Sequence, residues 1–531
     1  MKANPLFNTV KTRVMGKNTF DKSHSVKMSF KMGRLYPIML DEVLPGDEWR
    51  ISSENLLRFA PLVAPVMHKV MVKTFYFFVP NRLLWENFED FMAPDDATDR
   101  GIVYPTINIS NVIPEGCLAD YLGIPTGAYS GNPFTVSALP FAAVSLIWDE
   151  WFRDQNLQDE IFTPLVDGDN TTTGSYLAQL LTDPPKRAWM PDYFTKTLPF
   201  AQKGDTVTLP LVEDTNTLVG LSGTNAAGIV RKASDGTVDP NANPLWQSST
   251  GNMQISTSFN AFYDPNGTLS VNINEDAVSI NALREAFALQ RFAEIDARGG
   301  TRYTENIKAQ FGVSSPDARL QRPELIGMGG GLMSISEVLQ TSAGNQVGGT
   351  NPDNPSVLGT TAGHGISVND STSYHYRATE HGWIIGFINV QPDTAYYQGL
   401  HKMWSRRSRT DHYFPALANI GEQPVLNKEL YIDHSSRDGT FGYLPIFTEY
   451  KVGQSRVCGE MRSSLAYWHL ARDFDSEPNL NAAFIEATVP TRIFAVQYTD
   501  GSGELSADHI YGMIYNHVRV TRVMPFYGNP I

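Results

Sequence analysis

From Phe59 to Phe88 apolar side chains run almost without a break, and VMVKTFYFFV (70–79) places them on both phases of a period-two pattern. A strand of that kind is buried on two sides, whereas a half-buried strand alternates. The alternating kind is seen at 515–523, where Val518 and Val520 interleave with Arg519 and Thr521. Further strands are predicted at 26–32, 49–53, 383–390 and 492–498. Helical spacing is predicted over 142–156, which carries Leu146, Ile147, Trp151 and Phe152. It recurs in SINALREAFALQRFAEIDARGG, with Ser279 as cap, Leu283, Phe287 and Ile295 near one face, and Gly299-Gly300 as the stop. Strands gathered toward both ends of the chain, with long excursions between, predict an antiparallel sandwich carrying large insertions.

Two segments lack this patterning. Residues 204–274 are rich in Thr, Asn, Gly, Asp and Ser and read as an outer insertion of short strands and turns. Residues 342–373 read as a long irregular loop. The apolar stretch that includes 70–79 is not a membrane span, because Pro61, Pro65, His68, Lys69 and Lys73 interrupt it. One charge at mid-bilayer costs roughly 2.5–3.5 kcal/mol. The segment is expected to be a strand with one face on a core and the other beneath an inserted loop. His68 and Lys69 would then sit at the strand's mouth.

Composition narrows the function classes. A chain of 531 residues is longer than one core usually supports, and its charged fraction of 18% is low for a soluble protein. Low charge with many loops is what extensive interfaces require. Cys117 and Cys458 are the two cysteines, too few for a disulfide framework and without a C-x-x-C zinc pattern. No apolar leader opens the sequence, so a soluble protein of a reducing compartment is expected.

The net charge is −14, yet residues 1–34 hold Lys2, Lys11, Arg13, Lys17, Lys22, Lys27, Lys31 and Arg34 against Asp21 alone. A basic arm on an acidic body suits contact with a polyanion; a solvated tail is the plainer reading. A second basic run contains Lys402, Arg406, Arg407 and Arg409 around Trp404, followed by Tyr413 and Phe414. Cations interleaved with aromatics can hold single-stranded nucleic acid, or can stack and pair with acidic neighbours at a protein interface.

Catalytic patterns are missing. The glycine run at 327–331 lacks the Gly-Lys-Ser/Thr ending of a phosphate loop and reads as a flexible turn. Asp167-Gly168-Asp169-Asn170 starts like a calcium loop but has Thr172 at the required glycine and Ala178 at the bidentate glutamate, so it too reads as a turn. Asp149 and Glu150 are adjacent and so point to different helix faces, as surface contacts. No H-E-x-x-H or G-x-S-x-G occurs. No enzyme activity, metal or cofactor is expected. The alternative class is a carbohydrate-binding or carbohydrate-active β protein, with Trp246, Phe259, Phe262 and Tyr263 stacking on sugars.

Several long blocks carry a resemblance: FDKSHSVKMSFKMGRLYPIMLDEVLPGDEWRIS, RFAPLVAPVMHKVMVKTFYFFVPNRLLW, NALREAFALQRFAEIDARGGTRYTENIKAQFGVSSPDARLQRPELIG, MWSRRSRTDHYFPALANIGEQPVLNKELY and SSLAYWHLARDFDSEPNLNAAFIE. With them the chain resembles the major capsid proteins of the gokushovirus branch of the Microviridae, small icosahedral single-stranded DNA phages. The resemblance implies an eight-stranded antiparallel viral jelly-roll barrel with large inter-strand loop insertions containing short helices. It implies a basic arm at 1–34, a core at 35–203 and 275–531, and a surface insertion at 204–274, matched by position only, forming a three-fold protrusion that meets a bacterial surface receptor. It also implies a sixty-subunit shell around a circular single-stranded DNA genome, assembled in the host cytoplasm without membrane insertion. The partners implied are a small basic DNA-binding protein, a scaffolding protein and a DNA pilot protein. On this reading Lys2, Lys11, Arg13, Lys17, Lys402, Arg406, Arg407 and Arg409 are candidates for DNA contact. Trp246, Phe259, Phe262 and Tyr263 are candidates for host contact.

Overall fold

The computed structural model describes residues 16–92, 101–173, 176–203, 246–247, 253–254, 280–298, 321–339, 361–370, 372–495 and 508–526. The chain divides into two units, one of residues 1–201 and 297–531 and one of residues 202–296. The first is built on two antiparallel sheets whose strands come from residues 17–80, 324–392 and 510–523.

The larger sheet comprises β1 (Lys17–Asp21), β2 (His24–Phe30), β4 (Glu48–Phe59), β7 (Ser334–Leu339), β8 (Thr361–Asp370), β9 (Tyr374–Arg377) and β11 (Ile510–Val523). Its order is β1-β11-β4-β8-β7, with β2 also on β11 and β9 also on β4. The smaller sheet has the order β6-β5-β10-β3, from β3 (Tyr36–Val43), β5 (Val70–Pro80), β6 (Glu324–Leu332) and β10 (Gly382–Pro392).

Alternation in β4 sends Trp49, Ile51 and Leu57 inward, where they join Ile514, Val518 and Val520 of β11. From the opposite sheet Ile38, Val72, Tyr76, Phe78, Ile384 and Ile388 complete this core. The other phase of β5, Phe75, Phe77 and Val79, joins a second core with Ile385, Phe387 and helix α1 (Leu139–Trp151). The two-sided burial expected of 70–79 is therefore met, one face on the core between the two sheets and one on the second core that includes α1. At its mouth His68 Nε2 lies 2.7 Å from the Asp393 carbonyl, and Lys69 is ion-paired to the Asp393 carboxylate at 3.6 Å.

Four expectations need correction. The glycine run at 327–331 lies inside β6, not in a turn. A Cβ at Gly327 would stand 2.2 Å from the Tyr374 ring and one at Gly331 1.8 Å from Asn369 Oδ1, so the missing side chains permit close approach between the sheets. The supposed loop at 342–373 contains β8 from Thr361 onward, because Gly363 and Gly365 make room for Ala64 and Phe59. Of the strand predicted at 492–498, the described part is a turn with one bridge, Leu62 to Phe494. Phe494 plugs the core against Phe59, 5.8 Å away, and needs no ladder to be buried. Asp149 is buried rather than superficial, and its carboxylate accepts N–H groups of Ile161 and Phe162. Burial raises its pKa despite those donors.

Just before β11, His509 is buried and stacked on Phe494 at 4.2 Å, with Asp508 and Lys31 the charges nearby. Burial lowers its pKa from the ordinary 6.5. The folded state therefore binds fewer protons here than the unfolded one, so this contribution to stability is full above about 6.5 and declines as pH falls below it. The urea midpoint of His509→Phe should fall less between pH 7 and pH 5 than that of the wild type. An identical acid response would remove His509 from the account.

The second unit includes a short pairing of Trp246–Gln247 with Met253–Gln254 and most of helix α2 (Ile280–Arg298). On α2, Phe287 and Leu289 are exposed.

Candidate functional site

Among the described residues no three His, Cys, Asp or Glu side chains group as metal ligands. A recess of about 780 Å³ lies between β2, β3 and residues 115–126. Several of its polar groups are already engaged: Asp183 pairs with Lys31 at 3.3 Å and Arg34 at 3.1 Å, Tyr121 Oη donates to the Ser29 carbonyl, and Ser29 Oγ donates to Asp508. Asp167 is a tie for side chains, accepting from Trp85 Nε1 at 2.7 Å and from Asn87. Cys117 is buried, Cys458 is exposed, and both are free thiols.

Lys2, Lys11 and Arg13 lie outside the described residues. Lys17 stands on β1 with Nζ 3.0 Å from Glu48. Farther along the arm Lys22 pairs with Asp41. Part of the arm's charge is thus neutralised within the subunit.

The run at 402–409 forms short turns on the connection between β10 and β11. Arg406 donates to Glu449 at 3.0 Å and lies 4.1 Å over the Tyr450 ring. Burial alone would raise the Glu449 pKa, but donors from Gln423, its own backbone and Arg406 hold it below the ordinary range. Lys402 approaches Glu429 at 3.9 Å and donates to the Pro424 carbonyl. Arg409 lies 5.4 Å over Phe414, and Arg407 is exposed. N–H groups of Arg407 and Ser408 hold the Asp411 carboxyl at about 2. Beside them a groove of about 390 Å³ is lined by Tyr397, Leu400, His401, Met403 and Trp404, the last 69% exposed. Trp246 stands in its short pairing; Phe259, Phe262 and Tyr263 lie outside the described residues.

A second basic surface, which sequence reading passed over, occupies the solvent face of the larger sheet. It presents Arg50 and Arg58 of β4, His375 and Arg377 of β9, Arg519 of β11 and Lys27 of β2, all exposed. Its signal was phase: in β4 and β11 every arginine named falls opposite in phase to the apolar core positions. Strand pairing, invisible in one sequence, then brings them together.

Residues 8–531 match the family described as Capsid protein (F protein). The chain is similar to capsid protein VP1 of Bdellovibrio phage phiMH2K, 36% identical over 529 residues, covering 97% of this chain and 95% of that protein. It is 31% identical to capsid protein VP1 of Chlamydia phage 1, covering 99% and 97% of the two chains. It is likewise 31% identical to capsid protein VP1 of Spiroplasma virus 4, covering 96% and 94%.

Proposed function

This chain belongs to the phage capsid F-protein family and has a structural, major-capsid role, and from that premise we propose that it builds a closed icosahedral shell of sixty copies around a circular single-stranded DNA genome. The observation that carries the reading is the strand order. Taking β1 and β2 as the first strand and β8 and β9 as the sixth, the larger sheet runs first-last-third-sixth. The smaller runs second-seventh-fourth-fifth. That order supports an eight-stranded jelly roll, with β7 as an extra edge strand. The connections at 81–323 and 393–509 are then the large insertions that dress the barrel.

A closed shell needs several different contact surfaces on each subunit. Exposed Trp404, Tyr413, Phe414, Ile420 and Ile432 on the 393–509 connection suit such contacts, since aromatic residues are enriched at interface cores. Scaffolding, DNA pilot and small basic DNA-binding proteins are the partners this assembly would use, in the cytoplasm of the bacterial host. The subunit acts without catalysis. Co-expression with those phage proteins, followed by size-exclusion chromatography and electron microscopy, should yield uniform closed particles. Persistent monomers under every assembly condition would overturn the proposal.

The segment 204–274 is proposed as the protrusion that meets the host receptor. Replacing it with a short Gly/Ser linker should leave the urea midpoint of the subunit within about 0.5 kcal/mol-equivalent of wild type, as surface changes do. Adsorption of particles to host cells should fall. Unfolding of the barrel on deletion would make the segment structural instead. A sugar-binding tip is compatible with this reading and predicts that bacterial glycans compete with adsorption.

A further inference from the structure

We propose that the solvent face of the seven-stranded sheet is where the subunit holds single-stranded DNA, its phosphates on Arg50, Arg519 and Arg58 and its bases on Tyr511 and Tyr515. The inference rests on the capsid reading and names the surface that would line the shell's interior.

The register supplies the first argument. Arg519 is the direct cross-strand partner of Arg50, and Arg50 is the partner of His375. Three basic residues therefore stand side by side across β11, β4 and β9, with Asp21 of β1 at the outer end. Like charges directly opposite destabilise a strand pair. A bound phosphate would convert that repulsion into shared attraction.

The second argument concerns which charges are spoken for. On the same face Glu48 is ion-paired to Lys17 at 3.0 Å and Glu54 hydrogen-bonds His517 at 2.9 Å, while Asp21 and Asp370 are exposed at its margins. Among the described residues Arg50, Arg58, Arg377, Arg519 and Lys27 have no carboxylate within ion-pair distance. Arg50, Arg58 and Lys27 thus collect here without an ion pair, while Arg519 faces Asp21 and Arg377 faces Glu48 across the strands, on a chain whose net charge is −14. In the 402–409 run, by contrast, Arg406 is committed to Glu449, Lys402 approaches Glu429 and Arg409 lies over Phe414, while Arg407 is exposed.

Stacking surface is the third argument. Tyr511 is exposed and is the cross-strand partner of Arg58; Tyr515 lies 4.6 Å from the His517 ring. Between them runs an exposed apolar row of Met513, Leu56 and Val368, paired in register across three strands. Cations, aromatics and apolar surface on one face form the platform that unpaired bases use and that duplex DNA, with its bases hidden, does not. From Arg519 to Tyr511 the strand extends roughly 27 Å, room for several nucleotides. β1, the edge strand beside Arg519, follows directly in sequence on the stretch bearing Lys11 and Arg13.

The test uses the purified full-length subunit and a fluorescein-labelled thirty-nucleotide oligo-dT, read by anisotropy across a salt series. R50Q/R519Q should bind at least about ten-fold more weakly at low salt, and its log–log salt slope should be shallower by about 1.4, or 0.7 per lost phosphate contact. R58Q alone should lower the slope by about 0.7 and stands in if the double variant fails to fold. Y511A should weaken binding roughly ten-fold without changing the slope, and R407Q/R409Q should weaken it less than R50Q/R519Q does. Wild-type affinity and slope in R50Q/R519Q and R58Q would overturn the inference, as would loss of binding in R407Q/R409Q instead. A subunit that forms shells but does not bind oligo-dT overturns this inference and leaves the capsid reading intact; failure to form shells overturns the capsid reading.

Discussion

Replacing Gly330 by valine should leave no stably folded barrel. Gly330 sits within β6 at φ +148°, and a Cβ there would lie 2.1 Å from the Val72 carbonyl oxygen of β5. Two faults coincide: the backbone conformation is one that L-residues rarely adopt, and the clash is with backbone that cannot rotate away. The expected loss exceeds about 4–5 kcal/mol, the range reserved for strain and overpacking in a core. Soluble yield and the urea midpoint measure it. Gly453→Ala is the control, because nothing lies within 4 Å of a Cβ at that position. Wild-type stability in Gly330→Val would mean that β6 does not lie as close to β5 as described.

Arg472→Ala should be nearly as damaging, through a different cause. The Arg472 guanidinium is buried among Phe484, Phe474, Trp189 and Tyr396, with ring centroids 4.2 to 5.7 Å away. Nη2 donates to the Phe484 carbonyl at 2.9 Å, while Tyr396 Oη donates to Asp192 at 2.8 Å. One cation thus pins three segments that are far apart in sequence. A desolvated cation–π contact is worth about 2 kcal/mol and a charged hydrogen bond about 1.5–3. The variant should therefore lose roughly 3–5 kcal/mol by chemical denaturation and yield few particles. Lysine should restore little, since it lacks the flat fork that both stacks and donates. Full rescue by Arg472→Lys would show that charge alone matters there.

What could be read in advance followed the length scale of the signal. Val70–Pro80 announced its two buried faces through its own composition, and Val518 and Val520 announced a half-buried strand. Helix α1 was found three residues downstream of its true start, because Pro140 marks a first turn that begins at Leu139. The glycines of β6 were misread because glycine marks turns locally, whereas here it answers to Tyr374 and Asn369, some forty residues away. Arg406 drew attention as part of a basic run, but its partner Glu449 is forty-three positions distant. Arg50 and Arg519 showed, by phase alone, only that each lies on the solvent face of its own strand. Their meaning depends on a register that one sequence does not encode visibly.

That register also has a consequence for biosynthesis. β11 is an interior strand of the larger sheet, between β1 and β4, and its His517 meets Glu54 across 463 positions of chain. During translation β2 and β4 emerge first and must wait, with unpaired edges, until nearly everything between has left the ribosome. Loop closure on that scale makes the sheet slow to form and its waiting edges prone to wrong pairing. The segments between β5 and β6 and between β10 and β11, being synthesised earlier, have time to fold before the larger sheet is complete. A chain released before β11 is made lacks the strand that joins β1 and β2 to β4. Such fragments cannot complete a barrel, so the order of synthesis itself screens truncated subunits from the pool available for assembly.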